Sequence, residues 1–229
     1  MNEESINTFI HSVFNTQKLV RRYDNWYEKY KFAYLSEINA IEKIIPKKVS
    51  GLEVGVGTGR FASVLNVPFG IDPAKESLKI SHQRGVEVAL AVGENLPFKN
   101  EIFDYLLMVI SLSFLHDPRK ALLEAKRVLK QKGEIIIGIV DKNGFLGKLY
   151  QKKKAEGHPF YREAILFSPS EVIDFLEEAD FKILEIYQTI FRLPNELKNV
   201  QQPKKGYGDG AFVIISAKKM VKYLKIKQK

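Results

Sequence analysis

The sequence predicts an α/β protein with a doubly wound, seven-stranded mixed sheet, built from five parallel strands and an antiparallel terminal pair, with a helical N-terminal extension. Short β-branched runs alternate with segments of helical periodicity over residues 51–140, which is typical of a parallel sheet covered by helices on both faces. Near the end of the chain, two β-rich runs follow each other without an intervening helix. This change of pattern favours antiparallel pairing.

The parallel strands are expected where β-branched and apolar residues cluster between turn signals. These clusters are residues 51–54, 67–71, 86–92, 103–110 and 134–140. Helices are expected between them, at residues 61–65, 74–84 and 118–130. The last helix has the clearest ends, because Asp117 can cap it, Pro118 suits its first position and Gly133 follows it.

The terminal part of the sheet follows one further helix. Ser168 and Glu171 have the spacing of a capping box, with Pro169 at the first helical position, and predict a helix that ends near residue 179. Residues 181–191 and 211–217 then predict the antiparallel pair, joined by a loop that contains prolines and glycines.

The sheet does not need every part of the chain. Residues 1–48 are predicted to form a helical N-terminal cap on a main domain of residues 49–217, and residues 218–229 a basic tail. The segment 141–167 leaves the fifth strand and is a candidate substrate lid. It is rich in aromatic residues, as is the N-terminal cap, and most of these rings are expected to pack against the sheet.

Composition limits the kind of protein. A chain of 229 residues with 45% hydrophobic and 28% charged residues suits one folded domain with an appendage. No apolar run approaches the roughly 20 residues of a membrane-spanning helix. The absence of cysteine excludes disulfides, thiolate zinc sites and a cysteine nucleophile, and no metal site is predicted.

Charge and terminal composition give weaker predictions. Lysine and arginine exceed aspartate and glutamate by 36 − 27 = 9, which admits nucleic acid as a partner. That partner is not favoured, because no regularly spaced aromatic residues accompany the lysine patches. The first residues are acidic rather than basic and apolar, so a cytoplasmic protein is expected. Abundant lysine, glutamate and isoleucine also suit a thermophile.

A glycine-rich turn follows the first strand and carries the strongest functional signal. Glu53 precedes Gly55, Gly57 and Gly59, and such glycines let a ligand approach the main chain closely. Arg60 stands where a dinucleotide fingerprint needs its third glycine, and the turn also lacks the lysine of a phosphate-binding loop. A carboxylate before the turn would repel phosphate and attract a cationic amine.

The second strand ends in a carboxylate that suits a ribose. Asp72 lies at the tip of this strand, where an acidic side chain can accept hydrogen bonds from both hydroxyls of a ribose. The two turns together predict a nucleoside-containing ligand without a pyrophosphate.

Four motifs, in order along the chain, resemble those of class I S-adenosylmethionine-dependent methyltransferases, in particular the methyltransferase type 11 group. They are the Glu-x-Gly-x-Gly-x-Gly turn at 53–59 with Asp72, the Gly-Glu-Asn-Leu-Pro-Phe run at 93–98, Phe-Asp-Tyr at 103–105, and Leu-Leu-Glu-Ala-Lys-Arg-Val-Leu-Lys-Gln-Lys-Gly at 122–133. The resemblance covers about residues 20–140. It implies a Rossmann-like fold, S-adenosylmethionine as cofactor and methyl transfer as the reaction.

The resemblance also implies roles for residues of the cofactor site. Glu53 and the three glycines of the turn would hold the methionine portion, and Asp72 the ribose. The adenine would lie against Pro73 and the loop Val92, Gly93 and Glu94, and Ile110 would offer its carbonyl to the cofactor's amino group. Val92 replaces an aspartate common in the family, so Glu94 or a main-chain carbonyl would have to bind the adenine amine.

The acceptor is less well defined. Methyl transfer is an in-line displacement that depends mainly on positioning, and His116 is a candidate base or simply the residue before a helix cap. Relatives often have a histidine pair where this chain has Ser113 and Phe114. Small-molecule nitrogen or oxygen acceptors are preferred; transfer to RNA or protein, and a non-catalytic cofactor-binding subunit, remain alternatives.

Aromatic residues supply the candidates for the wall of the substrate pocket. They are Tyr23 and Trp26 in the N-terminal segment and Phe145 and Tyr150 in the candidate lid. Phe145, Leu146, Leu149 and Tyr150 recur at helical spacing, so one short helix can turn its apolar side toward a ligand.

Overall fold

One eight-stranded sheet organises the protein in a computed structural model, which describes residues 16–47 and 49–220. The strands, in chain order, are β1 Gly51–Val54, β2 Phe69–Asp72, β3 Glu87–Leu90, β4 Phe103–Val109, β5 Leu129–Val140, β6 Phe181–Thr189, β7 Lys204–Lys205 and β8 Phe212–Lys219. Their spatial order is β3-β2-β1-β4-β5-β8-β6-β7. The first five are parallel, whereas β8 is antiparallel to both β5 and β6. The predicted fold class is confirmed.

Helices cover both faces of the sheet. They are α1 Gln17–Lys29, α2 Lys31–Glu42, α3 Arg60–Leu65, α4 Lys75–Gln83, α5 Pro118–Val128, α6 Phe145–Ala155 and α7 Pro169–Glu178. Apolar residues of α1 to α4 and α6 pack into one buried cluster, and those of α5 and α7 into a second. In the described part of the chain, no helix combines the length and apolarity needed to cross a bilayer.

Two differences from the predicted elements have clear causes. The predicted seven strands become eight through β7, which has only two residues and pairs with β6, too few for a periodic pattern. β5 begins at Leu129, which is fully buried and pairs with Phe103. This pairing ends α5 at Val128, and Gly133 therefore lies inside a strand rather than after a helix.

The helix starts agree with the predictions. Asp117 accepts a hydrogen bond from the backbone N–H of Lys120, and Ser168 and Glu171 form the full capping box. The domain limits remain a prediction because residues 1–15, 48 and 221–229 lie outside the described residues. At the C-terminus, β8 continues to Lys219, into the segment assigned to the basic tail.

The topology places a crevice at one edge of the sheet. β1 pairs with β2 on one side and with β4 on the other. The order of the strands therefore reverses at β1: β2 and β3 extend the sheet to one side, and β4 and β5 extend it to the other. In doubly wound sheets, ligands bind beyond the carboxyl ends of the strands at this switch point. The glycine turn and Asp72 both lie there.

Candidate active site

The glycine turn has the backbone conformation that its sequence predicts. Gly55, Gly57 and Gly59 have φ angles of 76°, 52° and 77°, which a side chain would strain. A Cβ on Gly55 would lie 2.3 Å from the Cβ of Ser111, whereas one on Gly57 would meet no atom within 4 Å. Gly55 therefore allows close packing against the loop after β4, and Gly57 borders open space.

Asp72 is held against this turn. Its Oδ2 accepts a hydrogen bond from the N–H of Gly57 at 2.9 Å, and its Oδ1 accepts one from the N–H of Ala74 at 2.8 Å. Burial raises the pKa of Asp72 to about 6, although both hydrogen bonds act in the opposite direction. The carboxylate that the sequence assigns to a ribose is thus positioned at the switch point.

Glu53 is buried directly before the turn. Its side chain is 1% exposed, and Oε2 has no hydrogen-bond partner. Burial raises its pKa well above the ordinary value, and a hydrogen bond from the backbone of Ala62 offsets this only in part. A buried carboxyl oxygen without a partner is costly unless a ligand supplies a donor. This site therefore fits the cationic amine of a methionine group.

In the predicted adenine loop, the side chain of Glu94 binds backbone groups of the protein itself. The Oε1 of Glu94 accepts hydrogen bonds from the N–H groups of His116 at 2.8 Å and Asp117 at 3.1 Å. Glu94 thus fastens the loop after β4. The carbonyl of Val92 accepts a hydrogen bond from Asn95 at 3.2 Å. The adenine roles of Pro73, Val92, Gly93 and Glu94 remain predictions.

Ile110 has the most unusual backbone of the site. Its φ angle is 64°, a left-handed conformation that is rare and strained for a β-branched residue. Its N–H donates to the carbonyl of Gly138 at 2.7 Å, and its carbonyl accepts from Ser113 at 3.2 Å. These bonds hold the start of the loop after β4, where the chain passes from the cofactor turn to a large cavity.

A cavity of about 790 Å³ lies against the start of the loop after β4. It is bounded by α1, α2, the segment after β5 and the carboxyl ends of β4 and β5. Ile110 lines it, as do many aromatic rings, among them Tyr23, Trp26, Tyr27, Tyr150, Phe160 and Tyr161. Its volume suits a small molecule.

The candidate pocket residues divide into two groups. Tyr23, Trp26 and Tyr150 line the cavity, whereas Phe145 is absent from its wall and packs against the buried cluster under α6. His116 is exposed and does not line the cavity. The catalytic role considered for His116 therefore has no support from its position.

Two polar residues of the cavity are not among the candidates that the sequence predicts. Glu37 on α2 is 2% exposed, and its Oε2 lacks a hydrogen-bond partner. His158 also lines the cavity with a buried, unpartnered Nδ1, and burial lowers its pKa, with Lys153 and Arg22 adding to the effect. No local motif marks either residue, since both reach the cavity through tertiary packing.

The two aromatic segments meet over the cavity. The rings of Tyr23 and Phe160 lie 5.8 Å apart, and the guanidinium of Arg22 lies 5.5 Å from the Phe160 ring. Within residues 141–167, Tyr150 stacks on Tyr161 with ring centroids 4.4 Å apart. These contacts fit the candidate lid formed by α1 and residues 141–167.

An ionic cluster fastens α1 to the glycine turn. Asp24 accepts hydrogen bonds from Thr58 Oγ1 at 2.6 Å, Arg60 Nε at 2.9 Å and Arg84 at 2.8 Å. Burial opposes ionisation of Asp24, but the hydrogen bonds from the two arginines and Thr58 hold its pKa below the ordinary value. Arg60, which breaks the dinucleotide pattern, thus links the turn to α1.

Fold and site together define an α/β protein whose sheet has, at its switch point, a site with the side chains and the glycine turn that suit a nucleoside-containing ligand. The family model described as "Methyltransferase domain" matches residues 52–137. The solved structure of an S-adenosylmethionine-dependent methyltransferase from Thermotoga maritima, a possible histamine N-methyltransferase, is 42% identical, with a TM-score of 0.87. The two structures align over 92% of this chain and 99% of the Thermotoga maritima chain.

Two curated relatives add to this comparison. An uncharacterized protein of Methanocaldococcus jannaschii is 47% identical over 203 residues, 89% of this chain and 98% of the relative. The demethylmenaquinone methyltransferase of Thermotoga maritima is 28% identical over 173 residues, 64% of this chain and 75% of that enzyme. The chain belongs to the class I S-adenosylmethionine-dependent methyltransferases.

Proposed function

We propose that this methyltransferase transfers a methyl group from S-adenosylmethionine to a nitrogen or oxygen of a small molecule bound in the ring-lined cavity. The observation that carries the proposal is the position of Ile110, which belongs to the predicted cofactor site and also lines the cavity. An acceptor in this cavity would therefore lie beside the cofactor.

The residues of the cofactor site suit their proposed tasks. Glu53 offers a buried, unpartnered oxygen to an ammonium group, and Asp72 offers a carboxylate to a ribose. When bound, the cofactor supplies a methyl group on a positively charged sulfur. The protein then has to orient the acceptor in line with that methyl group and exclude water, which accounts for much of the acceleration in such displacements.

The cavity wall favours a small acceptor over RNA or protein. Rings from α1 and residues 141–167 meet over the cavity through Tyr23 and Phe160, so a polymer would need these segments to separate. The Thermotoga maritima protein of similar structure is a possible histamine N-methyltransferase, which supports a small acceptor as well.

The test measures methyl transfer from radiolabelled S-adenosylmethionine to a panel of small amines and phenols, and separately to total RNA and to protein. We expect label in a small-molecule product, and a large loss of turnover in Tyr150→Ala with the affinity for S-adenosylhomocysteine retained. Label in RNA or protein alone would refute the small-molecule proposal. Cofactor binding without transfer to any acceptor would favour a non-catalytic subunit.

A further inference from the structure

Glu37 is a buried carboxyl group in which one oxygen has no hydrogen-bond partner. It lies in α2, is 2% exposed, and its Oε2 has no hydrogen-bond partner. Among the residues that the structure describes, no lysine, arginine or histidine forms a salt bridge with it. Burying such a group costs several kcal/mol or forces it to take up a proton. A residue kept only for packing would be apolar.

The surroundings of Glu37 indicate a ligand. Glu37 lines the cavity, together with the rings of Tyr23, Tyr27 and Tyr150. Burial raises the pKa of these three tyrosines, and the negative charge of Glu37 raises it further. A carboxylate framed by aromatic rings is complementary to an organic cation, which gains both ionic and cation–π attraction.

Other charged groups at the cavity do not neutralise Glu37. The lining cations Lys18, Arg21, Arg22, Lys29 and Lys153 lie on α1 and α6. The first four are exposed, and Lys153 is partly exposed. Exposed charges are screened over about 8 Å at physiological salt, whereas a buried carboxylate acts in a medium of low dielectric constant. Contact with Glu37 therefore decides which charge the cavity favours.

We propose that Glu37 binds a basic nitrogen of the methyl acceptor, so that the substrates of this enzyme are small amines. The inference rests on the proposed function, since it assigns the acceptor to the same cavity. The cofactor has its own carboxylates in Glu53 and Asp72, which are not among the cavity-lining residues. Glu37 therefore lies apart from the carboxyl groups assigned to the cofactor and is available to the acceptor.

The test compares three probes of similar shape that differ in one group: 2-phenylethylamine, 2-phenylethanol and 3-phenylpropionate. Their affinities are measured by ligand-observed NMR titration of the full chain saturated with S-adenosylhomocysteine. The amine is expected to bind at least tenfold more tightly than the alcohol or the acid. In Glu37→Gln, which keeps the shape of the side chain, the amine should lose about 30-fold in affinity.

Two further variants control for structural effects. Glu42→Gln removes an exposed carboxylate from the same helix and should keep the full preference for the amine. Glu37→Asp keeps the charge and should keep part of the preference. If Glu37→Gln does not fold, Glu37→Asp and the comparison of probes on the unaltered protein still decide the question.

Each outcome has a separate meaning. Equal affinity for the three probes, or binding of none of them, overturns the amine assignment. A loss of S-adenosylhomocysteine affinity in Glu37→Gln overturns it as well, because the carboxyl group would then serve the cofactor. Failure of the unaltered protein to bind S-adenosylhomocysteine would instead refute the proposed function.

Discussion

At the scale of single residues, Asp72 offers the most direct test of the cofactor site. Asp72→Ala removes the acceptors of two ribose hydrogen bonds and should cost about 2–3 kcal/mol of binding free energy, or roughly 30- to 150-fold in affinity for S-adenosylhomocysteine. Titration calorimetry measures this loss. Unchanged affinity, or tighter binding of a nicotinamide dinucleotide, would contradict the assignment.

The structure shows how to separate this binding role from a structural one. Asp72 also accepts hydrogen bonds from Gly57 and Ala74, so the alanine variant can loosen the glycine turn. Asp72→Asn keeps one acceptor oxygen and the shape of the side chain. Because its amide nitrogen cannot accept from one of these two N–H groups, we expect this variant to lose part of the affinity and part of the melting temperature, in both cases less than the alanine variant.

The pKa of Asp72 gives a prediction for pH. Because burial raises this pKa to about 6, the carboxylate that accepts from ribose hydroxyls is present above pH 6 and is lost as the pH falls through 6. Affinity for S-adenosylhomocysteine should therefore decrease between pH 7.5 and pH 5. In Asp72→Asn this decrease should be smaller, although Glu53, whose pKa burial also raises, is still present; an equal pH dependence in both proteins would assign the effect to another group.

At the scale of secondary structure elements, the Asp24 cluster joins α1 to α3 and α4. Asp24→Ala leaves the partly buried guanidinium groups of Arg60 and Arg84, with exposed fractions of 15% and 26%, without their carboxylate. We expect the free energy of unfolding to fall by about 2 kcal/mol. Denaturant unfolding at pH 7 measures the change.

A neighbouring carboxylate provides the matched control. Glu28 pairs with the same Arg60 but is 69% exposed, and surface pairs of this kind contribute about 0–1 kcal/mol. Glu28→Ala should therefore change stability little. If the two variants were equally stable, the Asp24 cluster would be no more than a surface ion pair.

The elements that the sequence predicts well depend on local signals. Pro118 after Asp117 and the Ser168–Glu171 box define helix starts within four residues, and the structure has both. The sequence predicts the start of β5 five residues too late, because Leu129 pairs with Phe103 and no local pattern encodes a contact between residues so far apart in the chain. The same limit explains why the insertion of β8 between β5 and β6 was not predicted.

The residues of the candidate site also divide into those marked by local motifs and those that only tertiary contacts reveal. The glycines of the turn and Asp72 lie in contiguous motifs, and the structure brings them together. Glu37 and Asp24 lie in helices where a single carboxylate has no distinguishing neighbours in the sequence, and only tertiary packing gives them a role. Glu94, in contrast, lies in a recognised motif but fastens a loop.

At the scale of the whole molecule, the cavity is closed by two segments that are distant in sequence. α1 and residues 141–167 meet through Tyr23 and Phe160, while the strands beneath them have fully buried residues such as Leu106 and Ile136. Segments that cover a ligand site usually belong to the less stable part of a fold.

We therefore expect cofactor binding to protect these two segments more than the strands. Hydrogen exchange of the protein alone and with S-adenosylhomocysteine should show increased protection in residues 16–35 and 141–167, with β4 and β5 nearly unchanged. Asp24→Ala should reduce the gain in residues 16–35, because α1 loses its link to the glycine turn, and leave most of the gain in 141–167. Equal protection of both segments with and without ligand would make them permanent walls, and the acceptor would then have to enter the cavity by another route.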